Sequence, residues 1–211
     1  SEYYYQCKTY DLYKITSGSS TPQLFESYDF GLCRSNKVSL VQVGNEPQVI
    51  FRVEPGRGTG VSLNDYTIPY VKDYTNWLFM DAHGSLLKTI NIDGIGKGET
   101  IQRSENGDYF ISYIVYDSLK IEGEDPIVIP KEHPPFIYEL CIVKLSSDYR
   151  VQDVILSGGI SDANQAPFLI DGKSMYVSGM LHSDCVIDGV ERNLSWSHGY
   201  FVRKVGLKTG P

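Results

Sequence analysis

Helix is what this sequence has least of. No long stretch free of Gly and Pro carries apolar residues at i, i+3 and i+4, which excludes a helical bundle. No run of about 18 apolar residues occurs, so nothing reads as a membrane-spanning helix. Runs of Lys and Arg are missing, and the formal net charge is −7. Both argue against a nucleic-acid partner, because phosphate binding needs a basic footprint. The four cysteines, Cys7, Cys33, Cys141 and Cys185, form no CxxC pair, which argues against structural zinc. No catalytic or metal motif of high specificity is present, and no cofactor is implied.

What remains is strand and turn. At 211 residues, the chain is long enough to bury a sizeable core, and its aromatics are dominated by sixteen Tyr against two Trp. The stretch from Trp77 to Tyr116 is the template. Trp77-Leu78-Phe79-Met80 ends at the turn Asp81-Ala82-His83-Gly84, and the strand Leu86–Ile92 follows. After the loop 93–98 comes Thr100–Ser104, then Asn106-Gly107, then Tyr109–Val115. The flanking runs are rich in Val, Ile, Tyr and Phe, and Asn-Gly is a strong hairpin signal because both central residues of a type I′ turn need positive φ.

The template recurs. Ile15, Met80, Leu145 and Val205 each end an apolar strand before a tight turn, at separations of 65, 65 and 60. Asn45, Asn106 and Asp171 each sit in a turn between short strands, at separations of 61 and 65. Two independent anchors with one period define an internal repeat of about 60–65 residues with four strands each. The reading is all-β, in consecutive antiparallel hairpins. One blade-like unit takes strands near 37–43, 48–53, 75–80 and 86–92, and a second takes 100–104, 109–115, 137–145 and 150–156. A hairpin at about 10–26 and three strands at about 166–205 are partial units.

Connections alternate between short and long. Tight turns are expected at 16–19, 44–47, 81–84, 105–108, 146–149, 171–173 and 206–210. Longer loops are expected at 27–36, 54–74, 93–99, 116–136, 157–165 and 182–198. In a meander, successive connections lie at opposite ends of the sheet, so long loops share one rim. Binding is expected there, on loops held by a rigid scaffold. The regions around Val128 and Val186 are candidates for extra hairpins inside these loops.

Candidate ligand contacts are the aromatic and imidazole groups of that rim: Trp196, His198, Tyr66, Tyr70 and Phe136. Aromatics stack on sugars or anchor a protein at low entropy cost. Asp184, Asp188 and Glu191 supply oxygens of the kind Ca²⁺ takes, but at no EF-hand spacing. Glu122, Glu124 and Asp125 read as a solvated acidic loop. Gly94-Ile95-Gly96-Lys97-Gly98 precedes a strand rather than a helix, so it reads as an inter-strand loop and not a phosphate cradle. His83 is expected on a turn surface, and His182 and His198 flank one loop with no partnered nucleophile. Asn193-Leu194-Ser195 matches the glycosylation sequon. Cys141 reads as a small buried hydrophobe. Cys33 and Cys185 fall in loops and are a candidate disulfide in an oxidising compartment, with connectivity left open by the sequence. The chain starts at Ser1 without a methionine, as a processed or trimmed product would, any signal peptide being already gone.

Leu140–Asp148, then Val154–Gly159, then Asp171-Gly172 and Met175–Gly179 resemble a bacterial β-propeller repeat that reads "KLDSDG", "W.KT.GG" and "DGGYIVAG" in succession. The second copy resembles it through Asp81, Gly84, Lys88-Thr89, Gly107 and Tyr109-Phe110-Ile111, with Leu87 and Val154 where the family has Trp. A more distant similarity is to six-bladed propellers of bacterial surface lipoproteins. The resemblance covers most strands but not the long loops. It implies four-stranded blades and an extracellular, periplasmic or cell-surface location, and no shared catalytic residues. Propellers typically have four to eight blades. The expectation is therefore a single propeller-type repeat domain, a fragment of a longer ring or one completed in a homo- or hetero-oligomer, because an uncovered edge invites association. The function expected is non-enzymatic binding of a protein or glycan through the long-loop rim. The alternatives are a carbohydrate-active hydrolase or lyase, which needs paired carboxylates in one pocket, and a structural ring subunit.

Overall fold

The computed structural model describes residues 9–14, 18, 20–30, 33–55, 60–69, 74–93, 100–115, 118–128, 139–160, 168–172, 174–182, 185–187, 190–192 and 198–206. The protein is all-β: every regular element among these residues is a strand. Among them no helix is long and apolar enough to cross a membrane. The chain divides into two compact units, Ser1–Ile92 and Asp93–Pro211.

The first unit holds β1 (Thr9–Lys14), β2 (Gln23–Asp29), β3 (Cys33–Val43), β4 (Glu46–Pro55), β5 (Val61–Leu63), β6 (Tyr66–Ile68), β7 (Tyr74–Met80) and β8 (Leu86–Asp93). Within it β3, β4, β7 and β8 lie side by side in chain order. Val38, Leu40 and Gln42 oppose Phe51, Val49 and Pro47, and Phe51 in turn opposes Leu78. The hairpins β1–β2 and β5–β6 stand outside this meander.

The second unit holds β9 (Ile101–Arg103), β10 (Tyr109–Val115), β11 (Ser118–Ile121), β12 (Ile127–Val128), β13 (Glu139–Leu145), β14 (Val151–Ile160), β15 (Phe168–Asp171), β16 (Ser174–His182), β17 (Cys185–Ile187), β18 (Val190–Arg192) and β19 (His198–Gly206). Here β9, β10, β13 and β14 form a second four-stranded meander, and β15, β16 and β19 form a three-stranded one. All the pairings recorded are antiparallel.

Each meander has a hairpin inserted between its second and third strands. β5–β6 falls between β4 and β7, β11–β12 between β10 and β13, and β17–β18 between β16 and β19. The last two are the hairpins expected around Val128 and Val186. The first was hidden by its glycine-rich flank. Its two-residue turn is Asn64-Asp65, with Asn64 at φ +49, a left-handed conformation that Asn tolerates.

Three tight turns share one construction. Asp81, Ser104 and Ser146 each donate a backbone N–H to the carbonyl four residues on, at 2.8–2.9 Å. Their own carbonyls accept from Gly84, Gly107 and Tyr149, at 3.4, 3.0 and 2.9 Å. Those third loop residues have φ of +80, +93 and +65. This is the three-residue hairpin loop, a turn followed by a left-handed residue. Asp81 reinforces its copy: its Oδ1 accepts from the His83 and Ser85 N–H groups, each at 2.8 Å.

Some expected connections are shorter. The loop placed at 27–36 is mostly strand, because Tyr28 and Phe30 bury in the core and β3 begins at Cys33. The loop placed at 157–165 begins later, since β14 runs to Ile160. Cys33 and Cys185 are therefore the first residues of β3 and β17 rather than loop residues. Extended pairing claims them, with Cys33 opposite Pro55 and Cys185 opposite Arg192.

The alternation along the strands builds the cores. In the first unit Val49, Phe51 and Val53 join Leu78 and Met80 under Tyr28, Phe30, Leu63 and Ile68. Phe51 is the hub, with ring centroids 4.9 Å from Tyr28 and 4.8 Å from Phe30, both edge-on. The opposite face of β4 and β7 is also buried: Ile50, Trp77 and Phe79 are at most 2% exposed. Arg52, on that face, is 3% exposed and ion-paired to Glu54. In the second unit Phe110, Ile114, Leu140 and Ile142 pack with Phe168, Met175 and Val177. Every residue of β10 is buried. Central strands buried on both faces read as continuous apolar runs, which is why Trp77–Met80 and Tyr109–Val115 stood out in the sequence.

Candidate functional site

The first unit carries an open groove of about 420 Å³ at the end of its sheet where the tight turns lie. Leu12, Tyr13 and Lys14 come from the end of β1, Phe25 from β2 and Leu40 from β3. Asn45, Glu46 and Pro47 come from the β3–β4 turn and the start of β4, and His83 from the β7–β8 turn.

Local sequence explains why these side chains are available. Val38 and Leu40 oppose Phe51 and Val49, so they leave β3 on the core face. The β1–β2 hairpin covers Val49 and Phe51 but stops short of β3, and Val38 and Leu40 are left 44% and 55% exposed. On β1, Tyr10 and Leu12 point into the core, and the register breaks between Leu12 and Tyr13. Tyr13, past that bulge, is 53% exposed. The extra residue is Phe25 of β2, since Leu12 opposes Glu26 and Tyr13 opposes Leu24; a bulge re-aims side chains locally, and Phe25 joins Tyr13 and Lys14 at the groove.

The other wall is aromatic. Phe25 and His83 lie with ring centroids 6.5 Å apart at 31°. His83 is on the turn surface, as its position after Asp81 implied. Beneath, the Tyr28 hydroxyl donates to the Asp81 carbonyl at 3.5 Å. Its pKa is pushed up to about 12, first by burial and then by the Glu26 and Asp81 carboxylates. Burial also raises Tyr10. The groove thus has an apolar floor and walls, one ammonium, one carboxylate, one amide and one imidazole. Such a lining offers apolar contact area with a few polar groups beside it.

Tyr66, His198 and Glu191 are the ligand candidates that fall on described strands. Tyr66 is half-buried on β6 and packs against the first core. His198 opens β19 opposite His182, and Glu191 lies in β18 opposite Val186. Trp196, Tyr70, Phe136, Asp184 and Asp188 lie outside the described residues. Among the described residues no group of three His, Cys, Asp or Glu is placed to hold a metal ion. Cys141 is fully buried, as expected of a small hydrophobe.

Sequence reading passed over Tyr13, Phe25, Leu40 and Pro47. No local signal in the sequence marks them, and Leu40 shows why. Leu40 stands 61 residues before Ile101, as Asn45 stands before Asn106. Ile101 is 5% exposed and Leu40 is 55% exposed. No family model, curated protein or solved structure matches this chain.

Proposed function

We propose that the chain is a non-enzymatic binding module of β-propeller type, acting outside the cytoplasm, and that it holds a protein partner through the groove between β1 and β3. The observation that carries this reading is the groove itself: Leu12, Tyr13, Phe25, Leu40 and Pro47 gathered on a sheet whose central strands are buried on both faces. Propeller architecture is supported by the meander with a hairpin inserted at the same connection in each copy, and by the repeat resemblance. On this reading the chain is one repeat domain, with blades at about 37–92 and 100–156 and partial blades at about 4–26 and 166–205. The extracellular, periplasmic or cell-surface location rests on the resemblance alone.

A protein segment is favoured over a glycan by the chemistry of the lining. The polar groups of Lys14, Asn45, Glu46 and His83 stand around aliphatic Leu12, Leu40 and Pro47, a surface that would leave a sugar's hydroxyls unmatched. Exposed apolar side chains flanked by single charges suit a peptide with its own apolar residues.

Selection of a displayed random-peptide library on the whole chain tests this. Enriched peptides should share apolar residues at alternate positions and lose binding to Leu40→Asp. Enrichment that survives Leu40→Asp, or binding confined to a glycan array, would overturn the reading.

A further inference from the structure

Asn106 is the one asparagine of the sequence that precedes a glycine. It is exposed, in the three-residue loop that joins β9 to β10. Asparagine is a labile residue. Glycine puts no side chain beside its main-chain nitrogen, and that nitrogen can attack the carboxamide of the asparagine before it. Asn36, Asn45 and Asn64 are followed by Lys37, Glu46 and Asp65, whose side chains crowd the same approach. Asn76 and Asn91 are buried. The chemistry therefore singles out Asn106.

The turn sets when the nitrogen is available. The Gly107 N–H donates to the Ser104 carbonyl at 3.0 Å, and the Ser104 N–H to the Asp108 carbonyl at 2.8 Å. Gly107 is itself buried, and a Cβ built on it would meet the Arg103 guanidinium at 2.9 Å and Ser147 at 3.4 Å. The nitrogen can react only while the loop is open, a local fluctuation at the end of a hairpin.

That loop holds a strand with few other ties. β9 is three residues long and, among the described residues, pairs with β10 alone. Its middle residue reaches another sheet. The Gln102 amide bridges the edge of β15: Nε2 donates to the Phe168 carbonyl, and Oε1 accepts from the Ile170 N–H at 3.1 Å. One side chain thereby stands in for a partner strand and covers that part of the edge. Gln102 opposes Phe110, which packs with Phe168 in the second core, so bridge and core share one face of the sheet.

We propose that Asn106 is a site of spontaneous deamidation, and that its isoaspartyl product loosens β9 and releases β15 from Gln102. The Gly107 nitrogen loses its proton to water and bonds to Asn106 Cγ, and the side-chain nitrogen leaves as ammonia. The cyclic imide then takes up water. Cleavage of its bond between nitrogen and Cγ leaves aspartate. Cleavage between nitrogen and the main-chain carbonyl carbon leaves isoaspartate. Only water is consumed, and nothing is oxidised or reduced. Isoaspartate carries the chain through Cβ and Cγ, so the loop gains a backbone atom. The hydrogen bonds from Gly107 to Ser104 and from Ser104 to Asp108 then no longer both fit. The new carboxylate also falls in sequence between Glu105 and Asp108, which adds repulsion. The change runs one way and leaves the β15 edge without its side-chain partner.

The test ages the full chain for weeks in mildly alkaline buffer and maps its peptides by mass. Residue 106 should gain the mass difference between an amide and an acid, ahead of Asn36, Asn45 and Asn64. A urea-unfolded sample should gain it faster, because the loop is then always open. Exchange of the Ile170 N–H, followed by NMR, reports the release, since its acceptor is Gln102. In the isoaspartyl fraction it should quicken about tenfold or more. Asn106→Gln aged in the same way should keep the original rate, and fresh Gln102→Leu should show the fast one. A folded chain that gains no mass at residue 106, or gains it no faster than at the other asparagines, would overturn the site. An unfolded sample no faster than the folded one would overturn control by the turn. Unchanged Ile170 exchange in the isoaspartyl fraction, or equal quickening in aged Asn106→Gln, would overturn the release of β15.

Discussion

Tyr149 occupies a backbone conformation that its two counterparts give to glycine. It has φ +65 at the third loop position of the β13–β14 hairpin, where Gly84 and Gly107 stand in theirs. A non-glycine residue in the left-handed region costs roughly 1–2 kcal/mol. Tyr149 offsets this by stacking on Tyr109, centroids 5.4 Å apart at 26°. Such a pair contributes about 0.5–1.5 kcal/mol beyond its burial. Tyr149→Ala keeps the backbone cost and loses the stack, so it should destabilise by about 1–2 kcal/mol. Tyr149→Gly loses the stack but removes the backbone cost, and should be more stable than the alanine variant by about 1 kcal/mol. In an ordinary strand position the order is reversed, glycine being worse by about 0.5–1 kcal/mol. Gly107→Ala makes the converse change. Its new Cβ would meet the Arg103 guanidinium at 2.9 Å at φ +93, so it should destabilise. The assay is urea unfolding, with midpoints compared at unchanged m-value. A Tyr149→Ala variant as stable as Tyr149→Gly or more so would refute the shared turn construction.

Phe51→Ala removes the hub ring of the first core, which is 0% exposed and packed on Tyr28 and Phe30; the expected loss is about 3–5 kcal/mol by denaturant titration. Tyr28 and Tyr109 have pKa values raised from 10.0 to about 12, each chiefly by burial. The unfolded chain ionises them first, so their contribution is complete below pH 10 and is lost as pH rises from 10 to 12. Midpoints measured from pH 9 to 12 should fall, and less steeply in Tyr28→Phe and Tyr109→Phe. Asn76 is fully buried, and neither amide atom has a hydrogen-bond partner among the described residues. Its counterpart 65 residues on is Cys141, also buried. Asn76→Val should raise stability by about 1–2 kcal/mol, read from the thermal midpoint, because an unmatched amide is removed from the core.

The strands were legible because their signals are local. Apolar runs such as Tyr109–Val115 and turn residues such as Gly84 and Gly107 act within a few positions, and the 65-residue spacing of Ile15, Met80 and Leu145 multiplies them. The β5–β6 hairpin was not legible, since Asn64-Asp65 is a weaker turn signal than the glycine run before it. The continuation of β2 through Tyr28 was missed because tertiary burial, not propensity, extends it. The groove was least legible. Leu40 and Val38 read as ordinary strand residues, and their exposure arises from what fails to cover them. Phe25 reaches the groove at a bulge in β2 that no local turn signal marks. Trp196 and Tyr70, chosen for aromatic character on long loops, carry no information about which apolar positions a sheet leaves bare.

Among the described residues β1 pairs with β2 alone beside the groove, and native-state hydrogen exchange on the unliganded chain measures that edge residue by residue. In β7 and β13, flanked on both sides, amides of both parities should be protected. In β1, only alternate amides between Asp11 and Lys14 should be protected, those donating to β2. Uniform protection across Asp11–Lys14 would mean that β1 is paired on both sides and the groove beside it covered, and would contradict the account.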